Sequence, residues 1–127
     1  MSKYVDITVE DFIENIRKNG LLKITGSFFW YADEPYSVND YRADKGSIIG
    51  ACAFGQGLIN SGAQYDFDSD DELVARLYHE TYHLNDDFRE TFSLSFDEIA
   101  NRLLELFKGD LNTFIRFEAA DWSFINE

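Results

Sequence analysis

Two stretches of this chain carry the same start signal for a helix, each followed by apolar residues at helical spacing. Ser69-Asp70-Asp71-Glu72 and Ser95-Phe96-Asp97-Glu98 both place a hydroxyl three residues before a glutamate. In that arrangement each side chain can satisfy the other residue's orphan backbone N–H. After the first signal, Leu73, Val74, Leu77, Tyr78 and Thr81 fall on one face, which predicts a helix to about His83. After the second, Phe96, Ile99, Leu103, Leu106 and Phe107 do the same, with Gly109 as the stop.

Two more helices follow from weaker signals. Thr8 with Asp11 can cap a segment in which Val9, Phe12, Ile13 and Ile16 share a face, ending at Gly20. Ser47 opens a segment from Ile48 to Asn60, closed by Gly62. Gly50, Cys52, Ala53 and Gly57 make it small-sided, so other elements can approach closely and its place is near the centre of the fold. Leu22 to Tyr31 is rich in strand formers, interrupted at Gly26-Ser27 by a bulge or tight turn. Ala32 to Lys45 is polar, holds the single proline, Pro35, and reads as a long loop or half of an irregular hairpin. Beyond Asp110 two patterns compete. Leu111, Phe114, Ile115, Ala119 and Trp122 fit helical spacing, while Thr113 to Phe117 fits a strand. The expected fold is α+β and mainly α: four to five helices packed with one small antiparallel hairpin or sheet, in a single domain over residues 1–127.

Charge is the strongest global constraint on function. The chain carries 24 acidic and 11 basic residues, for a net charge of −13. Sixteen of the acids but only five of the bases follow Tyr65. Such a field repels nucleic acid and anionic lipid and attracts basic surfaces, more weakly in salt. Direct nucleic-acid binding needs a basic stripe, and the sequence has none. The N-terminus lacks an apolar signal-peptide core, and no run approaches the roughly 18 apolar residues of a membrane helix. A single cysteine, Cys52, excludes an internal disulfide. A cytoplasmic protein without membrane contact is expected, in a reducing compartment.

Several motifs invite chemistry, and each has a plainer reading. His79-Glu80-Thr81-Tyr82-His83 is an H-E-x-x-H on a predicted helix, where histidines four apart can both ligate zinc with the glutamate as general base. Against this, polar Asn85 stands two places beyond the second histidine, and no third ligand is marked beyond the nearby Glu90 and Glu98. The plainer reading makes Arg76, His79, Glu80 and His83 the solvated face of that helix. Asp66, Asp68, Asp70 and Asp71 resemble the start of a calcium loop, but its sixth and twelfth positions are Asp71 and Leu77 instead of Gly and Glu. Gly50, Gly55 and Gly57 lack the context of a phosphate cradle and point to helix packing. Cys52, among apolar neighbours and without a histidine close in sequence, reads as a buried structural thiol. No cofactor is expected.

What remains is an acidic and aromatic set. Asp66, Asp68, Asp70, Asp71 and Glu72 form one cluster, and Asp86, Asp87 and Glu90 another. Aromatic residues are 17% of the chain, more than a minimal core uses, so Trp30, Tyr31, Tyr36, Tyr41 and Trp122 are expected as exposed rings. Carboxylates along a surface can imitate a phosphate backbone, and rings between them supply contact area. The expected partner is a basic protein such as a nuclease or nucleic-acid-binding effector, and the expected role is non-enzymatic inhibition. A small zinc hydrolase and a phage structural or assembly component are the alternatives.

Three landmarks together carry a resemblance. They are Gly50-Ala51-Cys52-Ala53-Phe54-Gly55, Leu84-Asn85-Asp86-Asp87, and Ser95-Phe96-Asp97-Glu98-Ile99. Over residues 8–108 the chain resembles small uncharacterised bacterial and phage proteins with a Cys-Ala-x-Gly helix, an Asn-Asp loop and a capped helix. The resemblance implies a fold neighbourhood and a bacterial, phage or prophage setting. It carries over no catalytic residues. In it Asn85 and Asp86 would be turn formers at helix ends.

Overall fold

In a computed structural model the described residues are 4–18, 21–42, 46–64, 71–86 and 94–120. Their order is β1 (Tyr4–Thr8), α1 (Val9–Asn15), β2 (Leu22–Lys23), β3 (Phe29–Tyr31), β4 (Ile48–Ala51), α2 (Ala53–Ser61), β5 (Ala63–Gln64), α3 (Glu72–Asp86), α4 (Phe96–Leu106) and β6 (Phe114–Ala119). The fold is α+β, as expected. Two three-stranded sheets replace the single small one, however, and with about 42% helix and 23% strand among the described residues the fold is not clearly mainly α.

The helix signals hold where a side chain does the capping. Thr8 accepts from the Asp11 N–H at 3.1 Å and starts α1. Ser95 and Glu98 form the reciprocal capping box of α4. Replacing Ser95 with alanine should cost about 1 kcal/mol in urea denaturation, with Ser95→Asp close to wild type because aspartate caps equally well. In α3 the cap is Asp71, whose Oδ1 accepts from the N–H groups of Leu73 and Val74; Ser69 lies outside the described residues. This helix runs three residues past His83, to Asp86. By contrast α4 ends at Leu106, before Gly109, where the backbone of the buried C-cap Phe107 leaves the helical region at φ −107°.

Segment 48–60 divides into two elements. Ile48–Ala51 is the central strand of the sheet β2-β4-β3, parallel to β2 and antiparallel to β3. Gly50 is small because a strand needs it: an added Cβ would stand 3.0 Å from Ile24 Cγ2 and 3.1 Å from the Leu22 carbonyl oxygen. Only from Ala53 does the chain become helical, with Cys52 as N-cap and Gly62, at φ 73°, as the left-handed stop. The expected central position is borne out, since Ala53 to Ile59 are all buried. Helices α1 and α3 each pack on both α2 and α4.

The Gly26-Ser27 interruption separates β2 from β3, and Val38 in the following loop bridges back to Phe29. In the second sheet, order β1-β6-β5, the strand pattern at 113–117 wins over the helical one. Ile115 and Phe117 alternate inward against β1, and Phe117 stacks on Phe12 at 5.5 Å. Strand β1 has no counterpart in the sequence expectation, because its partner lies over 100 positions away. The first backbone N–H groups of α1, on Val9 and Glu10, are taken up by the Thr113 and Leu111 carbonyls just before β6. Among the described residues no helix is long and apolar enough to cross a membrane.

Candidate functional site

The H-E-x-x-H lies on α3, as its spacing predicts. His79 and His83 are exposed on one face, with their Nε2 atoms 3.1 Å apart. Arg76, on the same face, is tied to Asp110 at 2.7 Å and lies over the Phe107 ring. Among the described residues nothing gathers around the pair to complete a hydrolytic centre. Of the proposed third ligands, Glu98 spends its carboxylate on the Ser95 cap, and Glu90 lies outside the described residues. Among the described residues no three His, Cys, Asp or Glu side chains come together as a metal site. The geometry is that of a solvated helix face opposite buried Val74, Leu77 and Thr81.

Of the two acidic clusters, the described members lie at the two ends of α3. Asp71 and Glu72 are exposed at its start, and Asp86 is half-buried at its end, about 22 Å away along the axis. Asp66, Asp68, Asp70, Asp87 and Glu90 lie outside the described residues. Among the described residues five basic side chains are paired with carboxylates: Arg17 with Glu14, Arg42 with Glu34, Lys108 with Glu105 and Arg116 with Asp6, in addition to Arg76. The Arg116 guanidinium beside exposed Asp6 holds that carboxyl below its ordinary range.

The expected aromatic surface is only partly there. Tyr36 is 73% exposed, whereas Trp30 is half-buried with its indole N–H donated to the Glu34 carbonyl. Tyr41 packs against the core. Tyr31 corrects the expectation outright. It is fully buried, its hydroxyl donates to the Asp40 carbonyl and accepts from the Arg42 N–H, and burial pushes its phenol up to about 12. Strand alternation is the reason: Phe29 and Tyr31 share the inner face of β3 while Trp30 faces the other way. Trp122 lies outside the described residues.

A concavity lies elsewhere, at the C-terminal end of α3. A pocket of about 40 Å³ is formed there by the Gly26-Ser27-Phe28 turn, by Asn39, by Cys52 and Phe54 at the start of α2, and by one side of α3. From α3 come Tyr78, Thr81, Tyr82, Asn85 and Asp86. The Tyr78 and Tyr82 rings, one turn apart, stack with centroids 6.4 Å apart. Tyr78 also meets Phe54 and Phe28 edge-on, at 5.3 and 5.8 Å. Tyr82 remains 49% exposed at the mouth.

Asn85 and Asp86 hold these pieces together. They are not turn formers, as the resemblance implied, because α3 is still helical at both. Buried Asn85 accepts from the Ala53 N–H at 2.9 Å, and its amide donates to the Ile24 carbonyl at 2.9 Å. Asp86 accepts from the Gly26 N–H at 3.0 Å through Oδ2 and from the Asn85 amide through Oδ1. Cys52, at the pocket floor, accepts from the Gly55 N–H at 3.4 Å as the cap of α2. Burial pushes its thiol up to about 12, so very little thiolate exists at neutral pH. The structural reading of Cys52 is therefore the one its surroundings support. Sequence reasoning missed Tyr82 and the roles of Asn85 and Asp86. Their only local signal is the Tyr78, Tyr82, Asn85 spacing, which puts all three on one face of α3.

Comparison with family models, with curated proteins and with solved structures gives no match for this chain.

Proposed function

We propose that this chain acts by binding a basic protein and is not itself a catalyst. The observation that carries the reading is the charge balance. Acids outnumber bases by 13, and five described arginine and lysine side chains are already held by carboxylates. The net field is therefore strongly negative, and it speeds the approach of a positively charged partner. An inhibitor of a nuclease or nucleic-acid-binding effector fits this chemistry, whether a phage- or prophage-encoded anti-defence protein imitating a nucleic acid or an immunity protein neutralising a toxin. Both roles are cytoplasmic. Cys52 and the histidine pair support the reading, since the buried thiol serves as the cap of α2 and neither histidine lines the pocket.

The test is capture from a lysate of the native host on the immobilised chain, followed by elution with salt. A basic protein binding one to one and released by salt is expected. Its affinity should fall about tenfold when Asp71→Asn and Glu72→Lys are combined, a pair that changes charge but keeps an N-cap. Stoichiometric zinc in protein purified without a histidine tag, with hydrolysis abolished by His83→Ala, would instead establish the hydrolase alternative.

A further inference from the structure

The pocket at the end of α3 has a specific chemical character. Four of its walls are aromatic, and the titratable groups among its eleven lining residues are all acids: Cys52, Tyr78, Tyr82 and Asp86. No lining side chain is basic. Lys23, among the described residues, feels the charge of Asp86. Its ammonium, however, donates to the Leu94 carbonyl and does not line the pocket. Burial raises the Tyr78 phenol first, and the Asp86 charge acts in the same direction.

Aromatic faces attract cations through their quadrupole, more strongly where water is partly excluded. A carboxylate at one end adds a charged acceptor. The Asp86 oxygens are held in place by the Gly26 N–H and the Asn85 amide, so the acceptor is oriented before anything binds. A volume of about 40 Å³ has room for about three waters. That is the space a guanidinium group fills. Between the two cationic side chains a guanidinium suits the site better, because it is planar, stacks on aromatic rings and is less strongly hydrated than an ammonium.

We infer that this pocket is a receptor for an arginine side chain of the basic partner, with the guanidinium against Tyr82 and Tyr78 and its N–H groups directed to Asp86. The inference deepens the proposed function by naming the partner's anchor, and it rests on that reading for its biological meaning. Half-exposed Tyr82 at the mouth serves as the ring on which the incoming side chain first lies. The buried Phe28 and Phe54 give the far wall its shape and exclude water.

The test uses the intact chain and small probes, so it stands apart from the search for a partner. Methylguanidinium, n-butylammonium and the neutral isostere methylurea are each titrated into ¹⁵N-labelled protein at one salt concentration. Methylguanidinium should produce saturable shifts at the Gly26, Ser27 and Tyr82 amides. Methylurea should produce none over the same range, and n-butylammonium should bind more weakly than methylguanidinium. Asp86→Asn, which keeps an acceptor for Gly26, should weaken methylguanidinium about tenfold. Tyr82→Ala, at an exposed position that leaves the fold intact, should weaken it about threefold. Equal responses to methylguanidinium and methylurea, or shifts confined to other parts of the surface, would overturn the inference. Stronger binding of n-butylammonium would replace arginine by lysine and so overturn it too. If the probe fails while a salt-released basic partner is still captured, the pocket assignment falls and the charge reading stands. If the probe binds while no such partner exists, the reverse holds.

Discussion

Asn85→Ala is expected to lower the unfolding midpoint by about 10 °C, the cost of about 3 kcal/mol in a domain of this size. The residue sits in the last turn of α3, yet both halves of its amide serve other segments. The oxygen satisfies the first N–H of α2 at Ala53, and the nitrogen satisfies the Ile24 carbonyl beyond β2. Truncation leaves both groups without their partner in a place where Asn85 itself is only 5% exposed. A buried polar group stranded in this way costs more than the hydrogen bond gained in its formation. Asn85→Asp should not rescue the protein. A carboxylate can accept from Ala53 but cannot donate to Ile24, and it would place a second negative charge beside Asp86. Thermal melts monitored by circular dichroism decide the matter. A midpoint within 2–3 °C of wild type, an interval of about 1 kcal/mol, would show that these segments do not depend on the amide.

Gly55→Ala should destabilise by about 2 kcal/mol, although alanine is the better helix former. Its Cβ would come 2.4 Å from the Phe28 carbonyl oxygen and 3.1 Å from the carbon behind it. Both are backbone atoms, and that oxygen already accepts from the Cys52 N–H at 3.1 Å. Relief requires α2 to move off the Phe28 segment. Overpacking of this kind costs about 3 kcal/mol, against a propensity gain of at most about 1 kcal/mol. Gly109 supplies the internal comparison. A Cβ there meets nothing within 4 Å, and its φ is not positive, so Gly109→Ala should be neutral or slightly stabilising. Urea denaturation of the two variants separates them by sign. Equal effects would contradict the close approach at Gly55.

How much of this was legible in the sequence depends on how local each cause is. The caps of α1 and α4 were readable because Thr8 meets Asp11 and Ser95 meets Glu98 three residues on. The central place of α2 was readable because Gly55 and Gly57 lack the side chains that would strike Phe28 and Phe12. Strand β4 was not. Gly50 breaks the apolar alternation, and the reason for its small size, contact with Ile24 and Leu22, lies more than twenty-five residues upstream. The β1–β6 pair joins the two ends of the described chain, a relation that no local pattern encodes. Tyr31 looked like a surface ring because a tyrosine in an aromatic run fits either side of a strand, and only its burial decides.

The pocket is the least legible feature. It needs four segments, near residues 26–28, 39, 52–54 and 78–86, held by the Asn39, Asn85 and Asp86 side chains. The acidic clusters were visible in the sequence on either side of the expected third helix, and their described members, Asp71 and Glu72 at its start and Asp86 at its end, lie there. That separation shapes the proposed function. The two ends of one helix offer two points of attachment about 22 Å apart, and one of them adjoins the aromatic pocket.

The most direct measurement is the association rate of this chain with the basic protein it captures, followed by stopped flow from low to high sodium chloride. Partner binding steered by these carboxylates predicts a rate constant that falls at least about tenfold between about 50 and 500 mM salt, with a much smaller change in dissociation. A rate that stays flat across that range, and is unaltered by the combined Asp71→Asn and Glu72→Lys changes, would contradict it.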